Sequence, residues 1–174
     1  MKKKLIAILA LIFIITGCSS GSKDFMSGYK GFDKKDHHYV QTSAEDMFNK
    51  LEAKEPGLYY FGFDTCPWCV ALVPVLENVA TEVDQKIQYL DIRSDDFNKY
   101  SKAEERYFAF NDTLPTQYRN DKFQVPFLVS ISKSGNIVTH LGTVDDHDGQ
   151  TPLSEQDIDF LSVRLKEMFL NTTK

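Results

Sequence analysis

One short stretch constrains this chain more than any other: Phe63-Asp64-Thr65-Cys66-Pro67-Trp68-Cys69. The apolar run Leu58 to Phe63 leads into it, and the apolar-rich segment Val70 to Leu76 leads out. That order reads as a strand, a tight turn and a helix whose first turn holds both cysteines. A helix N-terminus leaves backbone N–H groups unpaired and carries partial positive charge. Both favour a thiolate, the nucleophilic form of cysteine. Cys66 is therefore expected to be exposed and lowered in pKa. Cys69, one turn later, is expected beneath it and within disulfide reach. Pro67 has no N–H to leave unpaired and suits the first turn. Trp68 is expected to shield one side of the sulfurs with apolar surface.

A C-x-x-C pair can also be half of a zinc site or a structural disulfide. Zinc takes about four ligands, and the sequence has no second C-x-x-C or C-x-x-H. Its histidines, His37, His38, His140 and His147, are far from the cysteines along the chain. Thiol–disulfide chemistry is the preferred reading, with no metal and no organic cofactor required.

The N-terminus reads as a separate unit. Lys2, Lys3 and Lys4 form a positive region, and Leu5 to Ile15 is an unbroken apolar run of eleven residues. Spanning a bilayer takes about 20 residues, so the run fits the apolar part of a signal peptide. It closes on Ile15-Thr16-Gly17-Cys18, which resembles the lipobox of bacterial lipoproteins. The resemblance implies lipidation of Cys18 and cleavage before it; the other reading is an ordinary secretory signal that leaves a free thiol. Residues 1–17 are thus expected as a lipoprotein signal peptide, 18–36 as a flexible tether and 37–174 as the folded domain. Loss of Lys2, Lys3 and Lys4 takes the formal charge from −5 to −8, which argues against nucleic acid as a partner. The lipid would hold the protein at the membrane on its extracytoplasmic face, a compartment that permits disulfides. Ser19 to Asp36 shows no apolar period, and His37-His38 reads as its solvated end.

Along the domain, Tyr39–Gln41 reads as a short edge strand. Ser43 reads as the N-cap of a helix with Ala44, Met47, Phe48 and Leu51 on its apolar face, stopped by Pro56-Gly57. Strand 58–63 and the cysteine helix follow, with Pro74 inside that helix. A strand is expected over 86–92. Asp95 to Asn120 is charged and aromatic, and reads as one or two inserted helices whose aromatics mainly pack. Val125-Pro126 opens a strand over Phe127–Ile131. Ser134-Gly135-Asn136 turns it into Ile137–Leu141. Asp145 to Gly149 reads as a solvated acidic loop, and Ser154 as the N-cap of a last helix.

This arrangement resembles the thioredoxin fold over about Tyr39 to Leu170. Cys66-Pro67-Trp68-Cys69 stands at the redox motif, Pro74 at the proline inside the following helix, Val125-Pro126 at the cis-proline, and Gly142 at the glycine after the hairpin. The resemblance implies an α/β, three-layer fold: a central mixed sheet flanked by helices, with a helical insertion at about 95–120. The chain is also similar to thioredoxin-like accessory proteins of Gram-positive bacteria, including bacteriocin-transport accessory proteins. Two departures stand out. Where thioredoxins carry a buried acid, six residues before the first cysteine, this chain has Tyr60. Proton transfer must then use Tyr60, water or another group. Asp64, near Cys66, is expected to oppose the thiolate.

The resemblance implies a monomeric disulfide oxidoreductase acting on protein thiols and disulfides, with a membrane redox partner. Cys66 would attack, Cys69 would resolve, and Pro67, Trp68, Val125 and Pro126 would contact substrate. The alternative is a non-catalytic module of the same fold docking a transport or secretion partner. A peroxidase would need a proline ahead of Cys66 that Tyr60–Thr65 lacks.

Overall fold

Strand β2 (Gly57–Gly62) is apolar along its length because both its faces are covered. The computed structural model describes residues 24–174; the expected signal peptide, Cys18 and the start of the tether lie outside the described residues. Side chains alternate along β2. Leu58 and Tyr60 enter one core, Tyr59 and Phe61 the other.

The elements follow as β1 (Tyr39–Gln41), α1 (Ala44–Glu52), β2, α2 (Pro67–Val83), β3 (Ile87–Asp91), α3 (Asp95–Lys99), α4 (Ala103–Asp112), β4 (Phe127–Ile131), β5 (Ile137–Leu141) and α5 (Glu155–Asn171). The sheet order is β1-β3-β2-β4-β5. β3 runs parallel to β1 and β2, while β4 is antiparallel to β2 and β5 to β4. The result is an α/β structure with a five-stranded mixed sheet flanked by helices. Helices α2 and α5 cover the Tyr60 face, and α1 with the inserted helices covers the Phe61 face.

Local signals explain the boundaries. The Ser43 hydroxyl accepts the Asp46 N–H at 3.1 Å and starts α1. Ser154 and Asp157 cap α5 reciprocally. The insertion forms α3, α4 and a 3-10 turn at Thr116–Tyr118. Its aromatics pack: Phe97, Tyr107 and Phe110 are buried. Arg106 clamps it to α1 through a two-pronged contact with Glu52, at 2.6 and 2.7 Å.

The described part of the expected tether is not a tether. Met26, Tyr29 and Phe32 are buried in the α2 core, where Phe25 and Tyr29 meet Tyr89 and Phe32 meets Tyr39. These apolar residues sit three apart, so one irregular strap can turn them all inward, although glycines and charges separate them in sequence. The expectation for His37-His38 is corrected too. The His37 ring meets Asp24 at 3.0 Å. His38 contacts Glu77 through both its N–H and Nδ1, each at 3.0 Å. Glu77 is a fully buried carboxylate within α2, also approached by Lys34 at 3.5 Å. Its need for hydrogen-bond donors fastens the strap to the domain.

Candidate active site

Cys66 is the N-cap of α2, and Pro67 opens the helix. The Cys66 Sγ accepts the Cys69 N–H at 3.2 Å, so the sulfur occupies the position of a capping oxygen. That places the pair at the positive end of a 17-residue helix. The chain approaches through a turn in which the Cys66 N–H donates to the Phe63 carbonyl at 3.2 Å. Cys66 is only 4% exposed and Cys69 is completely buried. The expected exposure of Cys66 is thus corrected: Cys66 belongs to the same apolar core as Cys69.

The Cys66 thiol faces the Val125 carbonyl at 3.7 Å. The Val125–Pro126 peptide bond is cis. The Pro126 carbonyl accepts the Gly142 N–H at 2.9 Å, so the hairpin holds this segment against the cysteines. Gly142 has a φ of +77°, a conformation open to glycine.

The two sulfurs differ electrostatically. The Cys69 thiol, donating to Cys66, is the largest influence and lowers the Cys66 pKa to about 7. Burial works against this; the N–H groups of Cys69 and Trp68 and the Arg93 charge add to it. Burial chiefly, with the Cys66 contact and charge, pushes the Cys69 thiol far up. One sulfur is poised as a nucleophile and the other is held as a protonated reserve.

No local sequence pattern points to Arg93. Its guanidinium lies 3.7 Å from the centre of the Phe63 ring and reaches the Thr65 hydroxyl at 3.4 Å. The available signal was topological. Arg93 follows β3, whose C-terminal end lies beside that of β2, where α/β sheets place their sites. Asp64, expected to oppose the thiolate, is not among the main influences on Cys66.

Trp68 is 38% exposed, and a loop holds it. Its indole N–H donates to the His147 carbonyl at 2.8 Å. Gly149 lies flat on the ring, and a Cβ there would come within 2.9 Å of it. The loop is built rather than merely solvated. The His147 ring bridges Thr143 and Thr151 at 2.7 and 2.8 Å, and Asp148 accepts the N–H groups of Gln150 and Thr151. Val125 is half-buried and Pro126 buried. No group of three or more His, Cys, Asp or Glu side chains suited to a metal comes together among the described residues.

Tyr60 is fully buried behind the cysteines, and its hydroxyl has no hydrogen-bond partner among the described residues. The site therefore joins a nucleophilic thiol, a buried second thiol and a backbone segment able to align a substrate chain. No protein-family model matches the chain.

Proposed function

We propose that this chain is a thioredoxin-like thiol–disulfide oxidoreductase, anchored by a lipid on Cys18 to the extracytoplasmic face of the membrane and acting on protein thiols and disulfides. The observation that carries the reading is the paired geometry of Cys66 and Cys69. One sulfur caps the helix with its pKa lowered to about 7, and the other lies buried one turn below.

The Cys66 thiolate attacks a substrate disulfide. A Cys66–substrate bond forms, and the first substrate sulfur leaves as a thiolate. Cys69 then attacks the Cys66 sulfur, forms the Cys66–Cys69 disulfide and releases the second substrate sulfur. A substrate thiol attacking the Cys66–Cys69 disulfide runs the same steps backwards. Val125 supplies a backbone carbonyl beside the reacting sulfur. Trp68, fixed by the His147 loop, supplies an apolar wall.

The test is equilibration of the full chain with glutathione and dithiothreitol buffers, reading the Cys66–Cys69 redox state. A potential near about −270 mV would mark a reductase, and one near about −120 mV an oxidase. A pair that exchanges with neither buffer would overturn the enzymatic reading in favour of a docking module.

A further inference from the structure

Two buried amide side chains lie beside the inserted helix α4, and both are spent on the loop that leads to Val125. Tyr107 and Asn111 stand one turn apart on α4, so they face the same neighbour. The Asn111 Oδ1 accepts the Asn120 N–H at 2.7 Å, and its Nδ2 donates to the Asp121 carboxylate at 2.8 Å. The Tyr107 hydroxyl donates to the Asn120 carbonyl at 2.9 Å. Asn120 is thus buried and held through both its N–H and its carbonyl.

Asn120 in turn grips Gln124. Its Oδ1 accepts the Gln124 N–H at 3.0 Å, and its Nδ2 donates to the Gln124 carbonyl at 2.8 Å. Gln124 is itself exposed, so without that grip its backbone could swing. Phe123, next to it, has a φ of +49°, which a bulky side chain seldom adopts. The Phe123 ring stacks on Tyr107 at 3.7 Å between centroids. Such a backbone persists only where its surroundings dictate it, and here they belong to α4.

The Gln124–Val125 peptide is trans, so its C=O and N–H point to opposite sides. With the carbonyl turned in to Asn120, the Val125 N–H is turned away from it. The Val125 carbonyl faces the Cys66 sulfur at 3.7 Å. The orientation of Val125 beside the reacting sulfur is therefore set by a grip that begins on α4.

We propose that Asn120 is a positioning residue for the substrate, and that the helical insertion serves the active site by holding Asn120 in place. The inference rests on the oxidoreductase reading above. The substrate that gains from this arrangement is an extended peptide, whose backbone aligns on Val125 while its sulfur meets Cys66. Asn120 touches neither the substrate nor the sulfurs; it acts through Gln124 and Val125. Fixing their orientation in advance reduces the freedom lost when a peptide aligns. A small disulfide with no peptide backbone gains nothing from it.

The experiment uses the full chain with Cys18→Ala, whose remaining thiols are Cys66 and Cys69. The reduced protein meets two mixed disulfides that share one coloured leaving thiol. One carries it on 2-mercaptoethanol, the other on the cysteine of a short, uncharged peptide. Wild type is expected to release colour faster from the peptide. Asn120→Asp keeps an acceptor for the Gln124 N–H but sets a carboxylate oxygen against the Gln124 carbonyl. It is expected to slow the peptide reaction about tenfold, the loss of one aligned hydrogen bond. The mercaptoethanol reaction keeps its wild-type rate. Tyr107→Phe retains the ring stack and loses only the hydroxyl, so the peptide reaction slows about two- to threefold. Asn111→Asp opposes two carboxylates and lowers the peptide preference. Asn111→Asp with Asp121→Asn restores a donor–acceptor pair and recovers it.

Equal slowing of both disulfides by Asn120→Asp, or no slowing of the peptide, would overturn the inference. If Asn120→Asp does not fold, the α4 variants decide: an unchanged peptide preference in Tyr107→Phe and Asn111→Asp would overturn it. A wild type that reacts with both disulfides at one rate would also overturn it, and would leave the oxidoreductase reading standing. A wild type that releases colour from neither would sink that reading, and this inference with it.

Discussion

The two faces of the sheet are built from similar residues and do different work. On the Phe61 face every buried tyrosine hydroxyl is satisfied by a backbone carbonyl: Tyr59 by Glu55 at 2.6 Å, Tyr107 by Asn120 at 2.9 Å. The rest is phenylalanine and aliphatic packing, with the buried Asn111 and Asn120 joined by a 2.7 Å hydrogen bond from the Asn120 N–H to the Asn111 Oδ1. On the Tyr60 face the same kind of core holds two thiols, a buried carboxylate and a hydroxyl without a partner among the described residues. One face is organised to be stable. The other gives up some stability to keep titratable groups beside α2. Both faces share β2, so one strand supplies a packing residue, Phe61, and a polar one, Tyr60, in adjacent positions.

The contrast is sharpest at its extremes. Cys66→Ser is expected to abolish mixed-disulfide formation with a peptide disulfide while leaving the denaturation midpoint nearly in place. Cys69→Ser is expected to trap the mixed disulfide, read by non-reducing electrophoresis and mass. Retained exchange in Cys66→Ser would remove the nucleophile assignment. On the opposite face, Phe61→Ala empties a site lined by Phe48, Tyr107, Phe123 and Phe127. It is expected to cost about 3–5 kcal/mol in denaturant unfolding. The Cys66 alkylation midpoint, however, stays near pH 7. If that midpoint moves with Phe61, the faces are coupled and the division of labour fails.

A smaller effect tests what attaches the strap. Burial disfavours the charge on Glu77, but the His38 N–H, the His38 ring and Lys34 overcome it and hold its pKa below the usual range. Glu77→Ala orphans the His38 N–H and should cost about 1–3 kcal/mol, with faster proteolysis within residues 24–38. The pH dependence has a definite sign. A carboxylate lowered on folding stabilises the protein above its unfolded pKa, and that stability is lost as pH falls through the folded value. The strap should therefore loosen under acid in wild type and lose this acid dependence in Glu77→Ala.

Much of this was legible in the sequence. β1, β4 and β5 fall on their expected residues because alternation and turn chemistry are local. The Ser154 cap and the cysteine helix are likewise written in adjacent residues. What escaped was long-range. The strap looked polar because Met26, Tyr29 and Phe32 each stand among glycines and charges, and only a shared surface on α2 and Tyr89 unites them. Glu77 sits in an apolar run where no sequence pattern announces its partners on the strap. Trp68 was expected over the sulfurs, but its partners lie about eighty residues further on, in the His147–Gly149 loop.

Arg93 shows the same limit and gives the smallest prediction. It comes to the site only because β3 ends beside β2, and its charge is one of several influences favouring the Cys66 thiolate. It is exposed, so water and salt screen it. Arg93→Ala should raise the alkylation midpoint by on the order of a few tenths of a pH unit. The thiolate fraction then falls slightly at neutral pH and hardly at all well above it. The shift should shrink as salt rises from about 0.01 to about 1 M, where the Debye length drops from about 30 to about 3 Å. A shift that is large or indifferent to salt would mean that Arg93 acts through structure. The stack on Phe63, at the end of the shared strand, would then carry the effect, and the Tyr60 face would depend on its rim as well as on its core.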